Sequence, residues 1–198
     1  MNEEVKPKIE AIYPLSHLQT GLLLHHFTQK DDQGFLNVQC IIDGNLNIDL
    51  LKKSWDLTIK RHPVLRTSVH WEKIKSPVQI VRPNSKMNWT VSDWSLSSIS
   101  EQQNKLNLLG LKNKDDGIDF QKAPLANINL VKINNNSHYL IWSCHHLLLD
   151  GWSTSIILKD VFIFYESLVY KKKPDLETIP TYKSYLNYLK GIPINEGQ

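Results

Sequence analysis

The sequence predicts an α/β fold in the α+β sense, a mixed or antiparallel central sheet flanked by helices. Three observations predict it. Segments of helical and of strand period alternate along the chain without the regular βαβ repeat of a parallel sheet. Leu125 to Ile133 and His138 to Cys144 flank Asn134-Asn135-Asn136, which reads as a turn between antiparallel strands. Tyr139-Leu140-Ile141-Trp142 is continuously apolar, as expected for a strand buried on both faces.

Taken in order, Leu15, Leu18, Leu22 and His25 fall at helical spacing after Pro14 and predict a helix over about 16–28. Leu36 to Asp43 alternates like a strand and ends at Gly44. Asn47 is placed to cap a second helix with Ile48, Leu51, Trp55 and Ile59 on one face, stopped by Pro63. Two strand-like runs follow, Leu65 to Trp71 and Val78 to Val81. A polar segment around Asp93-Trp94-Ser95 leads into a helix over about 99–111. After the two antiparallel strands comes a helix from Trp152 to Val169, with Ile157, Val161, Phe164 and Leu168 on one face. The basic run Lys171-Lys172-Lys173 before Pro174 suits that helix's C-terminus, where cations meet the negative end of the dipole. A last helix is expected from Tyr182 to Lys190.

The 198 residues suffice for one sizeable core, and no linker, repeat or low-complexity tract divides them. A hydrophobic fraction of 41% with 22% charged residues is that of an ordinary soluble domain. The net charge of +3 is scattered, which gives nucleic-acid binding no electrostatic stripe. The polar start carries no signal peptide and no apolar run reaches spanning length, so no membrane partner and a cytoplasmic setting are expected. Cys40 and Cys144 lie far apart, match no metal-ligand spacing and read as buried free thiols.

The segment carrying chemistry is Ser143-Cys144-His145-His146-Leu147-Leu148-Leu149-Asp150-Gly151-Trp152-Ser153. A buried strand ends, two histidines appear, and a tight connection enters a long helix. Neighbouring strand residues point opposite ways, so one histidine faces a cavity while the other fixes local structure. A neutral imidazole near physiological pH suits attack by an amine or hydroxyl on an activated acyl group. Asp150, close to a buried strand, is expected to be buried and paired with an arginine, with Arg66 and Arg61 as candidates. Gly151 allows a sharp turn or a close ligand approach. By composition alone, adjacent histidines near a strand end are more often core or surface residues than catalytic ones. A zinc site lacks its remaining ligands, and Cys144 lacks an orienting group for a thiol nucleophile. No nucleophile elbow, phosphate loop or dinucleotide fingerprint is present.

His145-His146-Leu147-Leu148-Leu149-Asp150-Gly151 resembles the HHxxxDG motif of condensation domains of nonribosomal peptide synthetases, shared with the chloramphenicol acetyltransferase-like acyltransferases. Two further segments resemble the same family in the right order: Ile12 to Leu22 its opening motif, and Arg61-His62-Pro63-Val64-Leu65-Arg66-Thr67 its second. Gly151-Trp152-Ser153 continues the third motif as the condensation branch does. Three ordered motifs over most of the chain override the composition argument.

The resemblance implies two similar lobes forming a V around a tunnel, entered from opposite ends by phosphopantetheine arms of peptidyl carrier proteins. The acceptor amine attacks the donor thioester without a covalent enzyme intermediate. It implies that His146 faces the tunnel and positions or deprotonates the amine, and that His145 supports the loop. It implies further that Asp150 pairs structurally with Arg66, that Gly151 keeps the tunnel open, and that Trp152 and Ser153 belong to the substrate side. No cofactor or metal is bound directly. A full domain is about twice as long, so residues 1–198 are expected to be the N-terminal half, lacking the second lobe and weakly active alone. Its partners would be carrier proteins, the missing lobe and adjacent synthetase domains. Tyr13-Pro14-Leu15 with Gly21 looks more like the subtype accepting a D-configured donor, and a natural start at Met1 would require the donor to arrive from a separate protein. Two alternatives stand beside this reading: a non-catalytic lobe that only binds a carrier or a second lobe, and an acyltransferase using acyl-CoA.

Overall fold

Two sheets, rather than one, organise the chain. The computed structural model describes residues 8–28 and 34–191. A small antiparallel sheet has the order β1-β4-β3, from β1 (Ala11–Pro14), β3 (Thr67–His70) and β4 (Val78–Val81). The main sheet has the order β2-β7-β6-β5, from β2 (Phe35–Asp43), β5 (Asn88–Asp93), β6 (Ala126–Lys132) and β7 (Ser137–His145). In the main sheet β2, β7 and β6 are antiparallel, while β5 runs parallel to β6. The mixed α/β class is therefore as expected, with the strands divided between two sheets.

Side-chain alternation along the main sheet makes one face apolar. Leu140, Trp142 and Cys144 of β7 and Ala126, Ile128 and Leu130 of β6 form the core floor, with Leu36, Val38 and Cys40 of β2 packed against it. The helices α2 (Ile48–Arg61) and α4 (Gly151–Tyr170) lie on that floor and against each other. They supply Leu51, Trp55, Ile59, Ile157 and Val161. Trp55 and Trp142 meet edge to face at 5.1 Å. Each such fully buried side chain contributes on the order of 2–3 kcal/mol by removal of apolar surface from water. Asn47 caps α2 by accepting from Leu50 N at 3.0 Å, as its place in the sequence requires. Lys171 closes α4 in the left-handed conformation, at φ 52°.

The opposite face is partly polar and lies under α3 (Ile99–Asp116). Ser143 Oγ donates to Asn37 Oδ1 at 2.7 Å and accepts from Asn113 Nδ2 at 3.1 Å, and Asn37 Nδ2 donates to the Gly110 carbonyl at 3.3 Å. Strand β7 is thus buried on both faces, and one of them adds a hydrogen-bonded ladder at Ser143 beside the fully buried Ile141. At its far end a second cluster of Leu23, Val69, Phe120, Leu125 and Leu147 joins α1 (His17–Thr28) to both sheets.

Several boundaries differ from expectation. Pro63–Arg66 forms a 3-10 turn, so the strand begins at Thr67 rather than Leu65. Asn88–Asp93 is a strand, and α3 continues five residues past Leu111 to Asp116. Helix α1 buries Gln19 and Leu23, while Leu18 is exposed, so its core face is turned from the one that Leu18 and His25 define. Helix α5 spans Tyr182–Gly191. Cys40 is only half-buried, and Cys144 is fully so.

Candidate active site

The end of β7 separates the two histidines by burial. His145 is the last strand residue, paired with Phe35, and is 1% exposed. Its ring packs on Phe120 at 4.6 Å between centroids. Its Nδ1 accepts the Leu147 N–H at 2.9 Å, and its carbonyl accepts from Leu148 and Leu149 N at 3.2 Å each. An N–H can only donate, so Nδ1 is unprotonated and the proton of a neutral His145 sits on Nε2. His145 is the knot around which the loop winds.

His146 is exposed, and its backbone N–H donates to the Gly34 carbonyl at 2.8 Å. Its Nδ1 lies 3.1 Å from the Leu149 carbonyl. A carbonyl oxygen only accepts, so Nδ1 carries the proton and Nε2 is the acceptor nitrogen of the neutral ring. Adjacent histidines are thereby held in opposite tautomers, one serving the loop and one turned outward.

Asp150 corrects the expectation. It is exposed and forms the N-cap of α4, its Oδ1 accepting from Ser153 N at 2.7 Å and from the Ser153 hydroxyl, while Asp150 N donates to Ser153 Oγ at 3.3 Å. These hydrogen bonds from Ser153 hold its carboxyl below the usual carboxylate range. Five residues after the buried strand carry it to the surface, where the positive end of a helix meets its charge, so no arginine is needed.

The arginines go elsewhere. Arg66 is buried in the small sheet's margin, where Nη1 meets the Glu10 carboxylate at 2.5 Å and also the Arg82 carbonyl, and Nε donates to Ile59 O at 3.1 Å. Arg61 Nε donates to Asp160 Oδ2 at 2.8 Å, and His62 Nε2 reaches the same oxygen at 2.8 Å. The rule that a buried aspartate needs a cation thus applies on α4, to Asp160 and not to Asp150. Burial pushes His62 below its ordinary value, with Asp160 acting in the opposite direction.

Gly151 is the first residue of α4, and a Cβ there would meet nothing within 4 Å. No sharp turn requires a glycine at that position, and the space beside it is open. Trp152 is 84% exposed. Burial pushes the Cys144 thiol up to about 12, leaving it unsuited to nucleophilic work. Among the described residues no group of three or more His, Cys, Asp or Glu is arranged to hold a metal. No described helix is long and apolar enough to cross a membrane.

A cavity of about 700 Å³ meets the loop at Leu148 and is not lined by His146. Its walls include Tyr13, Gln19, His62, Gln79 and Tyr182. The sequence offered the Ser16-x-x-Gln19 spacing of a capping box as a signal for one of these. Gln79 and Tyr182 had no such signal.

Residues 9–195 match the family model described as Condensation domain. The chain is 33% identical over 193 residues to bacitracin synthase 3 of Bacillus licheniformis, covering 95% of this chain and 3% of that protein. It is 32% identical over 188 residues to gramicidin S synthase 2 of Brevibacillus brevis, covering 93% of this chain and 4% of the relative. The first condensation domain of the CDA synthetase superposes with a TM-score of 0.79 at 13% identity, over 92% of this chain and 46% of that one. The starter condensation domain of rhizomide synthetase RzmA gives 0.78 at 16% identity, over 91% and 45%. The chain thus spans a few per cent of those synthetases and less than half of the solved domains. With the family model matched along nearly its whole length, the chain belongs to the condensation-domain family.

Proposed function

We propose that this chain is the N-terminal lobe of a nonribosomal peptide synthetase condensation domain and that His146 is its catalytic residue. The donor is an aminoacyl or peptidyl thioester and the acceptor an aminoacyl amine, each arriving on the phosphopantetheine arm of a carrier protein in the cytoplasm. The amine nitrogen bonds to the thioester carbonyl carbon and the C–S bond breaks. His146 Nε2 takes the proton that nitrogen loses and returns it to the departing thiolate. The observation that supports this most is the His146 ring, whose Nδ1 is committed to the Leu149 carbonyl while the exposed ring offers Nε2 as an acceptor.

His145 holds the loop. Asp150 and Ser153 fix the start of α4, and Gly151 leaves room beside it for a substrate. Trp152 faces outward toward substrate or the second lobe. Arg61 and Arg66 act at a distance, by fixing α2 to α4 and by closing the small sheet. Carrier proteins, a second lobe and neighbouring synthetase domains are the partners. A non-catalytic pairing lobe is the second reading, supported by the apolar surface that Leu18, Leu24, Phe27, Trp152 and Ile156 leave exposed.

The test supplies donor and acceptor aminoacyl carrier proteins and follows amide formation by intact-protein mass spectrometry. The chain is assayed alone, with a second-lobe polypeptide in trans, and as His146→Ala in both settings. Product that needs the second lobe and vanishes in the variant supports the catalytic reading. Product unchanged in the variant removes His146 from the mechanism. Carrier binding without product under any condition favours the pairing lobe.

A further inference from the structure

We propose that Gln19 is a positioning residue for His146, acting through the Leu147 carbonyl and tied by the same side chain to Tyr182 of α5. This inference rests on the catalytic reading of His146 given above. Gln19 sits in the first turn of α1, 9% exposed. Its Oε1 accepts from Ser16 N at 2.9 Å, and Gln19 N donates to Ser16 Oγ at 3.2 Å, which completes a capping box. A cap needs only that oxygen. The Nε2 of Gln19 does something a cap does not require: it donates to the Leu147 carbonyl at 3.1 Å, across 128 residues of sequence.

Leu147 follows His146 directly, and its peptide unit is held from both sides. Its N–H goes to His145 Nδ1 and its carbonyl to Gln19. The His146 N–H is held by Gly34. The backbone on either side of the His146 side chain is therefore pinned, and this sets where the ring must lie for Nδ1 to meet the Leu149 carbonyl. Loosening Leu147 lets the 146–149 turn relax and frees Nδ1 from its partner.

Gln19 is itself held in a buried polar cluster. Its Oε1 also accepts from Gln79 Nε2 at 3.1 Å and from the Tyr182 hydroxyl at 3.1 Å. Gln79 Nε2 is 3.0 Å from the same hydroxyl and donates to the Pro14 carbonyl at 3.1 Å. Tyr182 opens α5, the last described helix. A shift of α5 is thus transmitted to the Leu147 carbonyl through a single side-chain amide. Partly satisfied buried networks are costly, so this amide has little freedom to reorient.

The chemistry separates positioning from capping. Gln19→Glu keeps an acceptor at the capping position, which glutamate fills well, and removes the donor to Leu147 O. The 198-residue chain labelled with ¹⁵N-histidine is examined by NMR, with the His146 signal identified by its absence in His146→Ala. Wild type should show His146 with its neutral proton on Nδ1. In Gln19→Glu the Nδ1–H population should fall toward a mixture, and amide formation with the second lobe in trans should slow about tenfold in kcat, the loss of one hydrogen bond in the oriented state. Tyr182→Phe should move both readouts in the same direction and less far. Unchanged circular dichroism verifies that the variants fold.

A His146 tautomer unaltered in folded Gln19→Glu overturns the proposal, whatever the activity. An altered tautomer with amide formation already insensitive to His146→Ala keeps the positioning role and removes the catalytic one. If Gln19→Glu does not fold, Gln19→Met, which fills the volume without either polar atom, carries the same tautomer measurement.

Discussion

Removing the Asp160 carboxylate should unfold this protein more readily than removing that of Asp150, although Asp150 belongs to the histidine motif. Asp160 has a side chain 7% exposed, and one oxygen meets both Arg61 Nε and His62 Nε2 at 2.8 Å. Asp160→Ala leaves the Arg61 cation and a buried imidazole N–H without that partner. Breaking a buried pair costs about 3–5 kcal/mol, and Arg61, 22% exposed, recovers part of it by turning to water. An expected loss of about 3 kcal/mol corresponds to roughly 6–12 °C in Tm for a chain of this length. Asp150→Ala removes an exposed N-cap and should cost only about 1 kcal/mol. Urea denaturation and thermal melts of both variants measure the difference. An Arg61→Leu/Asp160→Leu pair should lose less than the two single changes together, since it strands no charge. If Asp160→Ala melts within about 2 °C of Asp150→Ala, the assignment of the buried pair is wrong.

Stability should fall as pH drops below about 6.5, because burial holds His62, His70 and His138 below that ordinary value. Each binds its proton more tightly unfolded than folded, so its contribution is whole above 6.5 and is lost as pH falls through the folded value; a Tm flat from pH 7.5 to about 5.5 contradicts this. Cys144, with its thiol raised to about 12, should resist aromatic disulfide reagents at about pH 8 until urea unfolds the chain, as read by absorbance. Gly151→Ala adds a methyl to open space in the first turn of a helix, so stability in urea melts should hold or rise by up to about 1 kcal/mol. If that space admits substrate, amide formation with the second lobe falls in the same variant, which separates the stability effect from the functional one.

The parts readable from the sequence are those where one short-range rule decides. Asn47 had to cap and did, and Ile157, Val161 and Phe164 marked the buried side of α4. The opposite burial of His145 and His146 is what strand alternation at the end of β7 leads one to expect. Strand β5 escaped because, at the edge of the described sheet, most of its residues are exposed and its apolar alternation is limited to Trp89 and Val91. The last turns of α3 run through Lys112, Asn113, Lys114, Asp115 and Asp116, where only Asn113 is buried, so hydrophobic period ends before the helix does. Asp150 was misplaced because five residues suffice to leave a core, a distance that spacing alone does not measure. The contacts of Arg66 with Glu10 and of Gln19 with Leu147 span 56 and 128 residues, beyond the reach of any local pattern.

The polar ladder of Asn37, Ser143 and Asn113 bears on errors of folding. Among the described residues β2 is an edge strand, paired on one side only, and edge strands are the ones most free to slip. A slip of one residue would set Asn37 among the tryptophans of the apolar face, with its amide unanswered. It would also shift Gly34, whose carbonyl holds the His146 N–H. The ladder therefore sets the register: a misaligned β2 forfeits these hydrogen bonds, and only the aligned strand puts the Gly34 carbonyl where the His146 N–H can reach it.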